Sequence, residues 1–353
     1  MKLLIITQAI DENNPVLGFF CRWVEEFAKH YEKLTVICLE KGQYRLPKNV
    51  EVYSLGKEKP TILHSPFVIL NKFKYVFNFY KLIFRFRNDH SAVFVHMNEE
   101  YVILAGLWWR FMGKKLGMFR NHIRGTWKTP IAVALSHVVF CTSPYSYTAR
   151  FKKTKIVPAG IDIEKSRARE FKPRISRSIL SLGRIDPVKN VDVLIKALGI
   201  MEGRGVDFSA TIVGDPSLEN RTYYEGVIDL AELLVKKGKI KFHPAVPNDK
   251  TPEFYCSHEI FVNLTNPGSL DKTVFSAMVS GMVVVLCNVS FEGIVPDKYM
   301  FIENDPEDLA NKLESALDVS KTERQNLTSS LRSYVEENHS LEKTVSEILK
   351  IIK

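Results

Sequence analysis

Short apolar runs, bounded by Gly, Pro, Asn or Asp, alternate along almost the whole chain with stretches whose apolar positions recur at the helical period. Such runs read as buried strands and such stretches as helices packed over them. In the first half the pattern predicts strands at Lys2–Thr7, Leu34–Leu39, Ala92–His96, Gly117–Arg120, Val138–Cys141 and Lys155–Val157, and a helix near Phe19–Tyr31. Around Lys165–Ser178 the chain turns polar and charged, which reads as an interdomain linker. A second series follows, with strands at Ile179–Leu182, Ala210–Val213, Ile240–His243, Ile260–Leu264, Val283–Leu286 and Tyr299–Ile302. Helices are expected between them at Val191–Met201, Tyr224–Lys236 and Pro306–Leu317, and the tail from Leu341 reads as a last helix. This alternation predicts an α/β protein with parallel sheets covered by helices on both faces. The expected domains are residues 1–168 and 175–337, each Rossmann-like and doubly wound, with helix 338–353 packing back on the first. Open sheets of this kind bind ligands beyond the carboxyl ends of their strands, so a cleft between the two halves is the expected place for chemistry.

One helical stretch stands apart. Residues 67–87, FVILNKFKYVFNFYKLIFRFR, are aromatic and basic, and the Lys, Arg and Asn residues within them exclude a membrane-spanning helix. On a helix, Lys74, Asn78, Lys81 and Arg85 form one polar stripe, opposite Phe73, Val76, Phe77, Tyr80 and Phe84. Two readings stand. The aromatic face packs on the sheet and the basic side is solvated, or the helix lies at the interface of an anionic membrane. Arg110, Lys114 and Lys115, beside Trp108 and Trp109, extend the same surface.

Composition adds bounds. The 353 residues, 45% hydrophobic and 25% charged, suit two ordinary globular domains. The formal net charge is +9, with Lys and Arg concentrated before residue 160 and an acidic stretch at Glu292–Asp318. Nucleic acid, anionic lipid or a phosphorylated substrate would each suit such a charge, and would meet the N-terminal half. The first residues read as a strand rather than a signal peptide. Cys21, Cys38, Cys141, Cys256 and Cys287 are scattered without C-x-x-C spacing, and read as reduced core residues of a cytoplasmic protein.

The candidate chemistry lies mainly in the second half. In SLGRIDPVKN, residues 181–190, a buried strand ends at Gly183 and a helix can begin near Pro187. Arg184 and Lys189 bracket that turn, and a guanidinium fork with a compact ammonium can hold one anion. Two solvated surface cations would explain the residues equally simply.

SLGRIDPVKNVDVLIKAL resembles the G-R-x-x-x-x-K-G/N-x-D-x-L-I-x-A signature of retaining GT-B glycosyltransferases of family four. VPAGID at 157–162, TIVGD at 211–215 and SAMVSG at 276–281 are similar to further motifs of that family, in its order. The resemblance implies a GT-B fold, with Arg184 and Lys189 on the diphosphate of a nucleotide-sugar donor, UDP- or GDP-linked, and a glycan or lipid-linked acceptor. It also implies a metal-independent enzyme, and no Asp-x-Asp stands where a diphosphate-bound metal would be held. Retention would proceed on one face of the sugar, with the leaving phosphate assisting deprotonation of the acceptor.

At residues 266–281, NPGSLDKTVFSAMVSG, the chain departs from that family. The family places glutamates where Gly268 and Ser276 stand, one on donor-sugar hydroxyls and one on the ribose. Losing one charge-assisted hydrogen bond costs about 1.5–3 kcal/mol of donor binding if nothing compensates. What remains is Ser269, Leu270, Asp271, Lys272 and Thr273, a loop entering a helix whose backbone N–H groups can cradle a diphosphate. Lys272 would add a cation. Asp271 is either the helix N-cap or a substitute carboxylate for sugar hydroxyls.

In the first half, Gly18 matches a glycine that lets the backbone approach the donor phosphate, and also suits a plain loop. His122 matches a histidine near the donor sugar. His96 closes a strand and is a second candidate, toward the acceptor. Glu99 and Glu100 can orient an acceptor hydroxyl or simply start a helix. The leading reading is a glycosyltransferase of surface polysaccharide or glycoconjugate synthesis, cytoplasmic or peripheral on the cytoplasmic face of a membrane. Its rivals are an inactive GT-B protein that binds nucleotide or glycan as a scaffold, and, on charge alone, a nucleic-acid binder.

Overall fold

The computed structural model describes the chain except residues 1, 15, 59–67, 168–173, 266–269 and 353, and the side chains of residues 68–70 and 166–167. The chain divides into two compact units, Met1–Gly160 with Pro247–Asp249 and Leu341–Lys353, and Ile161–Val246 with Lys250–Ser340.

The first unit is built on strands β1 (Lys2–Ile10), β2 (Lys33–Lys41), β3 (Val50–Ser54), β4 (Ala92–His96), β5 (Lys115–Phe119), β6 (Val138–Cys141) and β7 (Thr154–Ile156). All pair in parallel, in the order β3-β2-β1-β4-β5-β6-β7. The helices of this half are α1 (Phe19–Ala28), α2 (Val68–Arg85), α3 (Glu99–Phe111) and α4 (Lys128–Leu135). Alternate β1 residues face opposite cores, as the pleat requires. Leu3 and Ile5 join α1 and the C-terminal segment Leu341–Ile352, whereas Leu4 and Ile6 join α2, α3 and α4.

The second unit opens with α5 (Ile163–Arg167) and carries β8 (Ser178–Leu182), β9 (Ser209–Val213), β10 (Ile240–His243), β11 (Ile260–Asn263) and β12 (Val283–Leu286). They too pair in parallel, in the order β10-β9-β8-β11-β12. Its further helices are α6 (Val191–Gly203), α7 (Arg221–Lys236), α8 (Thr251–Ser257), α9 (Lys272–Val279), α10 (Pro306–Leu317) and α11 (Lys321–His339). A last helix, α12 (Leu341–Ile352), returns to the first unit and buries Val345, Ile348 and Ile352 in its core.

Three expectations change. Tyr299–Ile302 is not a strand. A 3-10 turn covers Asp297–Tyr299, and the segment meets the sheet only through a bridge between Leu286 and Met300. Its period-two alternation reflects Tyr299 and Phe301 packing inward while Ile302 faces water. β3 and α11 went unforeseen, because β3 is half-exposed along its whole length and α11 buries only Leu331, Val335 and His339.

The third correction concerns α2. Its buried face is Phe79 and Ile83, continued by Phe86 just past its end and held further by Asn78 Nδ2 donating to Leu55 O (2.9 Å) and Tyr80 OH donating to Leu104 O (2.9 Å). Phe73, Phe77 and Phe84, expected against the sheet, are exposed. The helical period defines a stripe but not which of two mixed faces the core selects.

Candidate functional site

In each sheet the strand order reverses direction at one point, and parallel sheets leave a crevice there. In the second unit that point lies between β8 and β11. One small cavity is lined from both sides of it, by Gly183, Arg184 and Lys189 after β8 and by Asn263 and Leu264 at the end of β11.

The corner depends on two glycines. Gly183 (φ +154°) and Gly214 (φ +155°) end the neighbouring strands β8 and β9. A Cβ on Gly214 would lie 1.8 Å from Gly183 O, so the two backbones touch where no side chain fits. Beyond them Ile185 N donates to Asp215 O (3.1 Å), which carries the contact into both loops. Asp186 locks the loops together through Oδ1, which accepts from Ser217 N and Ser217 Oγ, both at 2.9 Å. Its other oxygen is 3.1 Å from Arg184 Nη1. Against the upward push of burial, the Ser217 and Asn220 donors and the Arg184 charge hold the Asp186 carboxyl below its ordinary value. The Arg184 side chain remains 52% exposed, so most of its donors face solvent.

Pro187–Lys189 forms a short 3-10 turn, and Asn190 follows at φ 47°, ψ 41°. That left-handed geometry explains why the motif takes Gly or Asn there, since other side chains disfavour it. Asn190 Nδ2 donates to Leu264 O (3.2 Å), tying the turn to the β11 side. Lys189 Nζ donates to Thr265 Oγ1 (3.0 Å) and to Asp271 Oδ2 (2.7 Å). An ammonium has three N–H donors, so a third remains for a ligand.

Asp271 is the N-cap of α9, with Oδ1 accepting from Thr273 N (3.0 Å) and Thr273 Oγ1 (2.8 Å). Oδ2 also accepts from Asn263 Nδ2 (3.0 Å) and Thr265 Oγ1 (3.2 Å). Burial pushes this carboxyl up, but Lys189 and the Thr273 donors outweigh it and hold Asp271 well below the carboxylate range. With both oxygens engaged, Asp271 acts as cap and partner of Lys189, and the role of substitute acceptor for sugar hydroxyls is not the one its contacts favour. Lys272 is partly buried, and that burial pushes its ammonium down to about 7. Ser276 stands one turn further along α9 at i+4 from Lys272, hence on the same face, and is likewise partly buried. Leu270 is described and partly buried, whereas Gly268 and Ser269 lie outside the described residues.

The structure thus brings Arg184, Lys189, Asp271 and Thr273 together around one corner, with Lys272 and Ser276 on the adjoining helix. Gly18 and His122 belong to the first unit. At Gly18 a Cβ would lie 2.6 Å from Asn14 O and 2.7 Å from Glu12 O, so the loop's own packing requires glycine there. His122 is exposed, its carbonyl accepting from Tyr147 N (2.8 Å), and partial burial with the Arg120 charge pushes its imidazole pKa down. His96 is 2% exposed, stacked on Phe20 with centroids 3.9 Å apart, and within 3.3 Å of Thr7 Oγ1 through Nδ1. Glu99 pairs with Arg120 Nε at 2.9 Å in a buried setting, and Glu100 with Lys128 at 3.0 Å. Sequence reasoning missed that ion pair, and missed Asp186, Asn263 and Thr265. For Asp186 a signal existed, since it sits between the two cations it helps to place. Among the described residues no group of His, Cys, Asp and Glu could hold a metal ion.

Residues 176–318 match the family model of glycosyl transferases group 1. The D-inositol 3-phosphate glycosyltransferase of Acidothermus cellulolyticus is 26% identical over 155 residues, 40% of this chain. The chain spans 35% of the length of that relative. Among solved structures, HepE of Anabaena, in complex with UDP and glucose, superposes with a TM-score of 0.76 over 99% of this chain and 98% of its own, at 16% identity. WaaG, a glycosyltransferase involved in lipopolysaccharide biosynthesis, gives 0.67 over the whole of both chains at 15% identity. At such identities the likeness is one of fold. The chain therefore has the GT-B fold, and its residues 176–318 resemble those of group 1 glycosyl transferases.

Proposed function

We propose that the protein is a metal-independent, retaining glycosyltransferase that moves a sugar from a UDP- or GDP-linked donor to a glycan or lipid-linked acceptor. The observation that carries this reading is the pair of cations at the switch point of the second unit. Lys189 is fixed by Asp271 and Thr265 with one donor to spare, and Arg184 is half-exposed beside the same cavity. Preorganised donors of this kind stabilise the negative charge that develops on a departing diphosphate. The nucleotide in the Anabaena structure is a diphosphate, which supports the class of ligand. With Gly268 and Ser276 at the two glutamate positions, the ribose and the sugar are held by weaker or different contacts, and Lys272 strengthens the grip on phosphate instead. His122 keeps the role near the donor sugar that the family resemblance gives it, and Gly18 the role of a loop glycine.

The test is donor-dependent turnover. Purified protein incubated with UDP- or GDP-sugars and a panel of glycan and lipid-linked acceptors should release nucleotide diphosphate and form a product whose anomeric configuration, read by NMR, equals that of the donor. Inversion would overturn the retaining mechanism. Nucleotide binding without turnover on any acceptor would favour the scaffold reading, to which the two missing glutamates point.

A further inference from the structure

The outer face of α2 and α3 in the first unit carries large side chains that a solvated surface does not explain. Phe73, Phe77 and Phe84 on α2 are 68%, 70% and 47% exposed, and Leu107 and Phe111 on α3 are 70% and 84% exposed. Those on α3 meet α2 at Phe84, and Phe73 and Phe77 lie further along the same exposed side of α2. Phe84 packs edge-on against Trp108 with centroids 5.1 Å apart, Trp108 stacks on Phe111 at 6.3 Å, and Tyr80 OH donates to Leu104 O. Single exposed apolar residues are ordinary, whereas a continuous aromatic surface marks a contact site.

The charge around the patch selects the partner. Lys74 and Lys81 flank the phenylalanines on the exposed side of α2, and Arg110 is exposed beside Phe111. No Asp or Glu occurs from residue 59 to 88, which holds six Lys and Arg, or from residue 101 to 161, which holds ten. A second copy of this chain would set cations against cations across a two-fold interface with no carboxylates to pair them. A nucleic-acid backbone would meet the charge but offers no apolar phase for Phe73, Phe77 and Leu107. An anionic bilayer offers both, a phosphate layer for the long basic side chains and an acyl boundary for the rings.

We propose that this face docks the protein onto an anionic lipid bilayer, with Phe73, Phe77, Leu107 and Phe111 entering the boundary between headgroups and acyl chains and Lys74, Lys81 and Arg110 on lipid phosphate. No helix among the described residues is long and apolar enough to cross a membrane, so the contact is peripheral. It deepens the proposed function by placing a lipid-linked acceptor within the layer the enzyme rests on, yet it stands on surface residues remote in sequence from the nucleotide corner.

The test is co-sedimentation of the full chain with vesicles of phosphatidylcholine, alone or mixed with phosphatidylglycerol. The wild type should bind the mixed vesicles at least about tenfold more tightly than the neutral ones, with affinity falling as salt rises. Phe73→Ser with Phe77→Ser, and separately Lys74→Glu with Lys81→Glu, should each weaken binding about tenfold or more at unchanged thermal stability, because all four side chains are exposed. Equal sedimentation of wild type and variants would overturn the proposal. So would self-association, or RNA binding, that the same variants abolish while vesicle binding is absent. UDP titration of the same preparations separates the two claims, since a failure of docking leaves the nucleotide corner untouched and the reverse also holds.

Discussion

The two units share a topology and differ in what fills the point where strand order reverses. In the second unit the ends of β8 and β11 carry Arg184, Lys189, Asn263 and, just beyond, Asp271, with Lys189 and Asn263 both hydrogen-bonded to Asp271 and Arg184 paired with Asp186. In the first unit the ends of β1 and β4 meet an aromatic cluster in which His96 lies among Phe20, Trp23 and Phe119. A sheet topology thus supplies a crevice, and the residues after each strand decide whether it holds a charged ligand or closes as core. The contrast also separates two histidines that looked alike in sequence. His96 is a core ring held by stacking and by Thr7, whereas His122 is exposed on a loop.

The largest effect should follow from Gly214→Ala. A Cβ 1.8 Å from Gly183 O cannot be accommodated without separating β8 from β9, so thermal unfolding should show a loss of about 3 kcal/mol or more. A loss below about 1 kcal/mol would show that the glycine contact does not set the corner's shape. Next, Lys189→Ala should weaken UDP binding by about 1.5–3 kcal/mol, roughly ten- to a hundredfold, as expected for one charge-assisted contact, and Arg184→Ala should act similarly.

Lys272 gives a prediction in pH. Its ammonium, pushed down to about 7 by burial, is charged below that value and neutral above it. Its share of diphosphate affinity should therefore be present below about 7 and fade as pH rises through it, whereas Lys272→Met should flatten the profile. A bound diphosphate favours the charged form, which moves the transition upward in the complex. Folding stability runs the other way. Because the folded state releases this proton earlier than the unfolded chain, its contribution rises with pH from about 7 towards the ordinary lysine value of 10.5. The smallest effect should come from His96→Phe, which exchanges one stacked ring for another and leaves Thr7 Oγ1 short of a partner. It should cost about 1–2 kcal/mol of stability and leave UDP affinity unchanged.

Much of the fold was legible because buried parallel strands are continuous apolar runs, and β4, β6 and β12 are examples. The edge strand β3 was not, because its residues are half-exposed and alternate with charge. In the site, Arg184 and Lys189 were legible from one local motif, and the N-cap from Asp271 before an apolar helix. The Lys189–Asp271 pair was not, since 82 residues separate its members and only the parallel crossover brings β8 and β11 side by side. The Glu99–Arg120 pair was hidden for the same reason, Glu99 looking like a solvated helix start until β5 places Arg120 beneath it. For α2 the period gave the helix but not its faces: Phe79 and Ile83 meet the core, and Lys74 and Lys81 share the exposed side with Phe73 and Phe77 instead of opposing them.

The switch point of the second unit is the proposed nucleotide diphosphate site. Calorimetric titration of the whole protein with UDP, GDP, ADP and dTDP, with Lys189→Ala in parallel, tests it most directly. The expected result is saturable binding of at least one nucleotide, weakened at least about tenfold in the variant. Binding of none of the four, or equal binding by the variant, would contradict it.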